Sequence, residues 1–143
     1  MAVRRKNYHG VQINQSPTIV EQAGAAIDDV RNLIMKYDGN GKVVLATAGT
    51  DKPVGIALIE AGYNDMTGKE AGKVNIGDNV DILVKDMGVV LAGAAIKKGD
   101  EVTAGDAGMA AVAAAGTYVL GIALDDAAAG EYLNIQITKY QKA

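Results

Sequence analysis

The stretch AGAAIDDVRNLIMKYDGNGKVVLATAGTDKPVGIAL (residues 23–58) decides the fold, because its landmarks return in AGAAIKKGDEVTAGDAGMAAVAAAGTYVLGIAL (residues 92–124). Both copies begin with AGAAI and end with GIAL. Between these words Gly41 matches Gly108, and the tripeptide AGT follows at the same place in each copy. Four ordered matches with nearly constant spacing are typical of an internal duplication.

The likeness continues beyond the second word, where AGKVNIGDNVDILV (71–84) matches AGEYLNIQI (129–137). Before this point the first copy carries about eight extra residues, in EAGYNDMTGKEAG (60–72). The Gly, Asp and Asn content of that stretch predicts a surface loop.

The duplication decides between helix and strand where composition does not. MAAVAAAG (109–116) is rich in alanine, which favours helices. Its partner KVVLATAG (42–49) carries β-branched residues, which favour strands. Two copies of one unit should share a conformation, so we expect both to be strands. The same holds for RNLIMKY (31–37) and DEVTA (100–104), each followed by a turn that contains glycine.

Two further segments alternate apolar and polar residues. In NVDILVK (79–85) the apolar residues are Val80, Ile82 and Val84. EYLNIQIT (131–138) shows the same period of two. Such alternation predicts strands with one buried face.

The GIAL strands present small residues on one face. Gly55 and Ala57 share that face in the first copy, and Gly121 and Ala123 share it in the second. Small residues permit another strand or sheet to approach closely. We therefore expect these four positions to be close-packed, at the inside of a barrel or at a subunit contact.

These patterns predict an all-β fold, a small barrel or sandwich built from two duplicated β units with an extended N-terminal arm. We expect the arm over residues 1–18 and the β domain over 19–143, with repeat units at about 19–87 and 88–138. Ser16-Pro17 suits the start of a helix, so a short helix within 16–29 is also expected.

The charge of the chain is unevenly distributed. The net charge is −3, but Arg4, Arg5 and Lys6 give the first ten residues +3, and eleven basic residues face seventeen acidic ones in the remainder. This pattern indicates an acidic body with a short basic arm that docks on an acidic surface. Basic residues are too few for a nucleic-acid interface, so no nucleic-acid partner is expected.

The composition disfavours most catalytic chemistry. There is no cysteine, and His9 is the single histidine, so neither a metal site nor a Ser/His/Asp arrangement is expected in the body. YDGNGK (37–42) lacks the first carboxylate and the bidentate Glu of a calcium loop, and a hairpin turn is the better interpretation. No apolar run approaches 18 residues, so no membrane span is expected. We predict neither an enzyme nor a cofactor.

One alternative is a carrier domain. IKKGDEVTAGD (96–106) resembles a stretch of the biotinyl and lipoyl carriers, which are small duplicated β barrels that display one lysine on a hairpin. The nearest candidates, Lys36 and Lys85, match the carrier motifs poorly. A second alternative is a generic structural β module of a fibre or adhesin.

A closer resemblance lies in VVLAGAAIKKGDEVTAGDAGMAAVAAAGTYVLGIALDDAAAGEYLNIQI (89–137). This segment resembles the decoration, or cement, proteins of tailed-bacteriophage heads. They share an Ala/Gly-Ala-Ile step, a Gly-Asp turn, an AG turn, a GIAL-like strand followed by acidic and small residues, and a closing GE strand. The first copy, including DKPVGIALIEAG (52–62), fits more loosely, and the resemblance covers residues 19–138 in all.

The resemblance implies a non-enzymatic protein, made in the host cytoplasm, that binds the outer surface of an assembled capsid. It implies the major capsid protein as partner, a homotrimer, and a shell strengthened against internal DNA pressure. We expect the arm to make the contact, with a strand containing Val11 and Ile13 adding to the sheet edge of a neighbour. The expected capsid-contacting residues of the arm are Arg4, Arg5, Lys6 and Tyr8.

Overall fold

A computed structural model describes residues 15–58 and 70–143. Within these ranges the chain forms ten β-strands and one short 3-10 turn, Asp106–Gly108. The strands are β1 (Thr18–Gln22), β2 (Ile34–Tyr37), β3 (Val43–Leu45), β4 (Gly55–Ala57), β5 (Asn79–Leu83), β6 (Met87–Leu91), β7 (Glu101–Ala104), β8 (Ala110–Val112), β9 (Tyr118–Ala123) and β10 (Tyr132–Gln141).

The strands form two five-stranded antiparallel sheets with the same topology. The first unit, β1–β5, has the order β1-β5-β4-β2-β3, and the second unit, β6–β10, has the order β6-β10-β9-β7-β8. Each strand of the first unit therefore has a counterpart five strands later, in the same place. The predicted all-β fold is confirmed, and the two sheets agree with a duplicated unit. The predicted limits of the arm, the domain and the repeats stay predictions.

The repeated word AGAAI makes the same bridges in both units. Its first alanine forms a parallel bridge to the third strand of the unit, and its isoleucine forms an antiparallel bridge to the segment before the last strand. The backbone groups of this segment are thus satisfied by neighbouring strands, which leaves no role for helical hydrogen bonds. The pairs are Ala23–Val43 and Ile27–Val74 in the first unit, and Ala92–Ala110 and Ile96–Ala127 in the second.

The units differ most in the loop that precedes the last strand. Ala57 corresponds to Ala123, and Val74 corresponds to Ala127, because each pair makes equivalent backbone contacts. Sixteen residues lie between the two landmarks in the first unit, and three in the second. The extra length therefore exceeds the eight residues expected from the sequence. The expectation was wrong because the AG before Lys73 was matched to the AG before Glu131, whereas the structural counterpart of Gly130 is Gly77.

The helix expected within 16–29 is absent, and β1 occupies its place. The Ser16 hydroxyl lies 3.3 Å from the Thr18 N–H, as in a helix cap, but the chain continues as a strand. Ile19 pairs with Ile82 of β5. The Thr-Ile-Val sequence of β1 is β-branched, and pairing along its whole length with β5 outweighs a local capping signal.

The alanine-rich segment is a strand, as the duplication predicts. β8 pairs with β7, placing Val102 opposite Val112 and Ala104 opposite Ala110. β3 pairs with β2 in the same arrangement. Both hairpins turn at a glycine with positive φ, Gly41 at 80° and Gly108 at 79°, a conformation that other residues adopt only with strain.

Two apolar clusters form the core, and one of them joins the units. The first cluster lies within the first unit and contains Ala23, Val30, Met35, Val43, Val54, Ala57, Val74, Val80 and Ile82. The second contains Ile34, Ala46 and Ile56 of the first unit together with Val90, Ala92, Ile96, Val102, Ala104, Ala110, Leu120, Ala123, Ala127, Leu133, Ile135 and Ile137 of the second. The predicted alternation of β5 and β10 is confirmed by these buried residues.

Candidate interaction surface

The predicted capsid-contacting residues lie in the arm, outside the described residues. They are Arg4, Arg5, Lys6, Tyr8, Val11 and Ile13. The structure does define where the arm joins the body. The Val84 N–H donates to the Pro17 carbonyl at 2.8 Å, and Thr18 lies opposite Leu83. The arm therefore leaves beside the short turn that joins β5 to β6.

An apolar groove lies next to this turn, at the boundary of the two units. Its volume is about 510 Å³. The first unit contributes Asn32, Ile56, Ala57, Leu58 and Leu83, and the second contributes Met87, Gly88, Val89 and Tyr132. Gly88 faces the first unit so closely that an added Cβ would lie 2.5 Å from Leu83 Cδ2. The units are thus in direct contact at the floor of the groove.

Large apolar side chains of the second unit line the groove and remain exposed. Met87 and Tyr132 are each 65% exposed, and Val89 is 39% exposed. Met87 and Val89 are two residues apart on β6, so they share one face of that strand. Three exposed apolar groups at one place are typical of a binding surface.

Asn32 connects the two units at one side of the groove. Its Nδ2 donates to the Val89 carbonyl at 3.1 Å, and its own carbonyl accepts the Leu91 N–H at 2.9 Å. Both partners lie on β6, which is an edge strand of the second sheet. Asn32 therefore covers part of this edge with hydrogen bonds from the first unit.

Two further hydrogen bonds join the units on the side of β9 and β10. The Tyr118 N–H donates to the Gly49 carbonyl at 2.8 Å. The Lys139 ammonium donates to the Val54 carbonyl. Lys139 lies where the pairing of β10 with β9 shifts register, and such an irregularity re-aims a side chain. Burial lowers the pKa of Lys139, because the charged ammonium loses water there.

The four predicted close-packing positions all lie in the chain's own interior. An added Cβ at Gly55 would lie 2.0 Å from the Leu83 carbonyl oxygen, and one at Gly121 would lie 2.2 Å from the Gln136 carbonyl oxygen. These contacts are with a neighbouring strand of the same sheet. Ala57 and Ala123 lie two residues further along their strands and are buried. Small side chains at these positions therefore allow each unit its own close strand packing.

The two carrier candidates lie in different settings. Lys36 lies within β2, and its ammonium is 2.9 Å from a carboxylate oxygen of Asp51. Lys85 lies in the turn between β5 and β6 and is half-buried. The ion pair with Asp51 occupies Lys36, whereas a carrier lysine is displayed free at a hairpin tip.

The Asp51 carboxylate also organises the loop after β3. It accepts the Thr47 N–H at 2.9 Å and the Ala48 N–H at 3.2 Å. Burial works against the charged carboxylate, but the Thr47 N–H, the Lys36 ammonium and the Ala48 N–H outweigh it. Together they hold the pKa of Asp51 below its ordinary value.

The described residues form no acidic or histidine cluster of the kind that holds a metal ion. Residues 15–58 and 70–143 contain no group of three or more acidic or histidine side chains placed to hold a metal ion. No helix in these ranges is long and apolar enough to cross a membrane. The main unpartnered feature is therefore the apolar groove.

Sequence reasoning missed the groove, although β6 carries a signal for it. MGVVL (87–91) has apolar residues on both faces, with Val90 buried in the core and Val89 exposed on the other side. A strand that is apolar on both faces packs on both faces or binds something on the second. Tyr132 and Asn32 offer no local signal, because pairing between distant segments brings them to β6.

Comparison with known proteins gives two results. The model of a phage protein family described as structural cement proteins (E217 gp24/Pam3 gp6) matches residues 5–138. The crystal structure of the N base of the bacteriophage phi29 head fibre gp8.5 matches with a TM-score of 0.59, over 87% of this chain and 97% of that chain. Its sequence identity is 23%, so this second likeness shows a shared fold alone. A search of curated protein sequences finds no match.

Proposed function

The chain belongs to the phage structural cement protein family, and on this premise we propose that it binds the outer surface of an assembled phage head and strengthens the shell. The family assignment gives it a structural, capsid-associated role in the virion. The observation that carries the proposal is the extent of the match, which begins at Arg5 and ends at Thr138, within the last strand.

The β body supports this role because its two units are built as one block. They share an apolar cluster and are joined by hydrogen bonds that the Asn32 side chain donates and that the Gly49 and Val54 carbonyls accept. A protein that binds the assembled lattice better than free capsid subunits stabilises the lattice by mass action. Many copies on one head add to the effect, since each copy resists the loosening of its neighbours.

The proposed contact with the shell is the basic arm. Arg4, Arg5 and Lys6 carry the charge, Tyr8 adds an aromatic contact, and a strand with Val11 and Ile13 joins the sheet edge of a neighbour. The positive charge of the arm favours docking on an acidic surface.

The proposed assembly is a homotrimer on the major capsid protein, added on the outside of the head after synthesis in the host cytoplasm. Trimers suit sites of three-fold symmetry on a shell, because each protomer then meets an equivalent surface. Light scattering of the isolated protein tests the oligomer, and a single species with the mass of one chain would contradict it.

The experiment that tests the arm uses heads that lack this protein. The full chain should co-sediment with the heads and appear on their outer surface by electron microscopy. Deletion of residues 2–14 should abolish binding while the far-ultraviolet circular dichroism of the body is retained. A matched charge control compares Arg4→Ala/Arg5→Ala with Lys97→Ala/Lys98→Ala, since Lys97 and Lys98 are exposed lysines of the body.

The arm variant should lose binding by tenfold or more, as expected for about 1.4 kcal/mol or more of lost contacts. The body variant should bind as the wild type does. Equal losses in both variants would show that general positive charge, rather than the arm, attaches the protein. Elongated oligomers with no affinity for heads would instead favour a fibre module.

A further inference from the structure

We propose that Val11 and Ile13 of the chain's own arm occupy the groove between the two units in the isolated protein. The inference goes beyond the proposed function, because it concerns the isolated protein and does not depend on capsid binding. The groove is the surface defined above by Met87, Val89 and Tyr132 together with the facing residues of the first unit.

The first step is the position of the arm's last residues, Pro17 and Thr18, which lie beside the groove. Pro17 is hydrogen-bonded to Val84, and Thr18 pairs with Leu83, which itself lines the groove. The chain before Pro17 therefore starts beside the turn that leads into Met87. An extended chain rises about 3.3 Å per residue, so Ile13 can lie about 7 Å from Gln15 and Val11 about 13 Å away. Because Leu83 lines the groove and pairs with Thr18, both side chains are tethered within seven residues of the groove edge.

The chemistry of the segment carries the second step. In VQIN (11–14) the apolar residues alternate with Gln and Asn. An extended segment then places Val11 and Ile13 on one face and the amide side chains on the other. The apolar face suits Met87, Val89 and Tyr132, and the polar face suits solvent. Burial of these exposed groups would remove an apolar patch at the unit boundary from water.

The third step is the covalent tether, because it favours the chain's own arm over the arm of a second copy as the occupant of the groove. A segment linked to the edge of its site by a few residues has an effective concentration in the millimolar range. A second copy reaches that concentration only in very concentrated solution. Docking within one chain is therefore favoured before assembly. On a shell, the same two residues become available for the sheet edge of a neighbour.

Cysteine cross-linking tests the proposal, and the absence of native cysteine makes the result easy to assign. The test variant carries Ile13→Cys and Val89→Cys. The control carries Ile13→Cys and Val112→Cys, since Val112 is also exposed but lies on β8, at the opposite edge of the same sheet. Four strand spacings separate the two edges, about 19 Å. Both variants are oxidised in dilute solution, without heads.

The test variant should form an intramolecular disulfide, seen as a faster-migrating monomer on a non-reducing gel. Its formation should be roughly tenfold or more faster than in the control. A disulfide-linked dimer would assign the groove to the arm of a second copy and overturn the proposal. Equal rates in test and control, or no disulfide in either, would also overturn it.

A second measurement needs no cysteine, so it can be made even if one of the cysteine variants does not fold. In a spectrum of methyl-labelled methionine, Val11→Ala/Ile13→Ala should shift the Met87 signal, because its methyl group loses the arm. The Met109 signal should stay in place, since Met109 precedes β8 at the far edge of the sheet. An unchanged Met87 signal would mean that the arm does not occupy the groove. Neither measurement involves the shell, so failure of capsid binding leaves both readable.

Discussion

The two units have the same strand order but do not bury the same faces. In the first unit, Ile34 and Ile56 face the cluster shared with the second unit, while Met35 and Ala57 face a cluster of their own. The first sheet is thus covered on both sides. In the second unit the corresponding outer face is more open, and Leu124 at the end of β9 is exposed. The two copies of a duplicated fold can therefore bury different faces: here the first sheet is buried on both sides and the second keeps a more open face.

The most sensitive point of the comparison is the pair of glycines in the GIAL strands. Gly55→Val and Gly121→Val should each destabilise the protein by about 3 kcal/mol or more, because a side chain at either position meets a carbonyl oxygen of the neighbouring strand. Urea unfolding measures the loss. The control is Gly39→Ala, whose Cβ would meet nothing within 4 Å among the described residues and should change stability by less than about 0.5 kcal/mol. A large loss of stability for one of these two variants and none for the other would show that the two glycines are not equivalent.

The neighbouring alanines test the same packing less severely. Ala57→Leu and Ala123→Leu should each cost about 1–3 kcal/mol, because both side chains are enclosed by core residues that must move apart. Thermal unfolding followed by circular dichroism gives the two shifts. If Ala123→Leu leaves the melting temperature unchanged, the second unit is less tightly packed than the first.

Asn32 and Gly99 allow a finer comparison of the two units, because they occupy equivalent positions but differ in residue type. Each donates its N–H to the last residue of a GIAL strand at 2.8 Å, and each has positive φ, 61° for Asn32 and 91° for Gly99. Asn32→Ala should cost about 2 kcal/mol, since it keeps the strained backbone and loses the bond to Val89. Asn32→Gly should cost about 1 kcal/mol less, because glycine relieves the strain. Equal losses of stability for Asn32→Ala and Asn32→Gly would mean that the hydrogen bond to Val89 accounts for the whole effect.

The loops after β3 and β8 differ in their response to acid. In the first unit the Asp51 carboxylate holds the loop, whereas in the second the Thr117 hydroxyl donates to the Ala114 carbonyl at 2.6 Å. The folded pKa of Asp51 is depressed, so its contribution is complete above about pH 4, the unfolded value. It is lost as the pH falls through the folded pKa.

Asp51→Asn should therefore lower stability by about 1 kcal/mol at neutral pH and flatten the loss of stability below about pH 4. Urea titrations between pH 7 and pH 2 measure both effects. Asp28→Asn is the matched control, because Asp28 is an exposed aspartate of the same unit. The same acid slope in Asp51→Asn and in the wild type would mean that the carboxylate does not stabilise the folded loop.

The sequence predicts the fold well where the duplication compares one copy with the other. MAAVAAAG is assigned correctly as a strand only because its partner KVVLATAG is β-branched. Ser16-Pro17 has no counterpart in the second copy, and there the local capping signal misleads. The length of the loop before β5 is also misjudged, because AG recurs too often in this chain to fix an alignment.

The candidate surface is predicted less well, for a different physical reason. The basic arm is visible in composition, since charge is a property of each residue. The groove arises where β4 and β5 meet β6 and β10, and within single segments only the two apolar faces of β6 indicate it. Asn32 shows this most clearly: its side chain reaches Val89, a residue 57 positions away.

The long strand β10 has a mechanical consequence. It pairs with β6 through Tyr132–Gln136 and with β9 through residues 135–141, and at the register shift the Lys139 ammonium donates to the Val54 carbonyl, just before β4. A pull along this strand loads its ladder in shear, so many bonds must break at once instead of opening one by one. Single-molecule stretching from the C-terminus should show one high rupture force, whereas stepwise peeling would contradict it. We therefore expect β10 to carry tension that is applied at the C-terminal end of the chain.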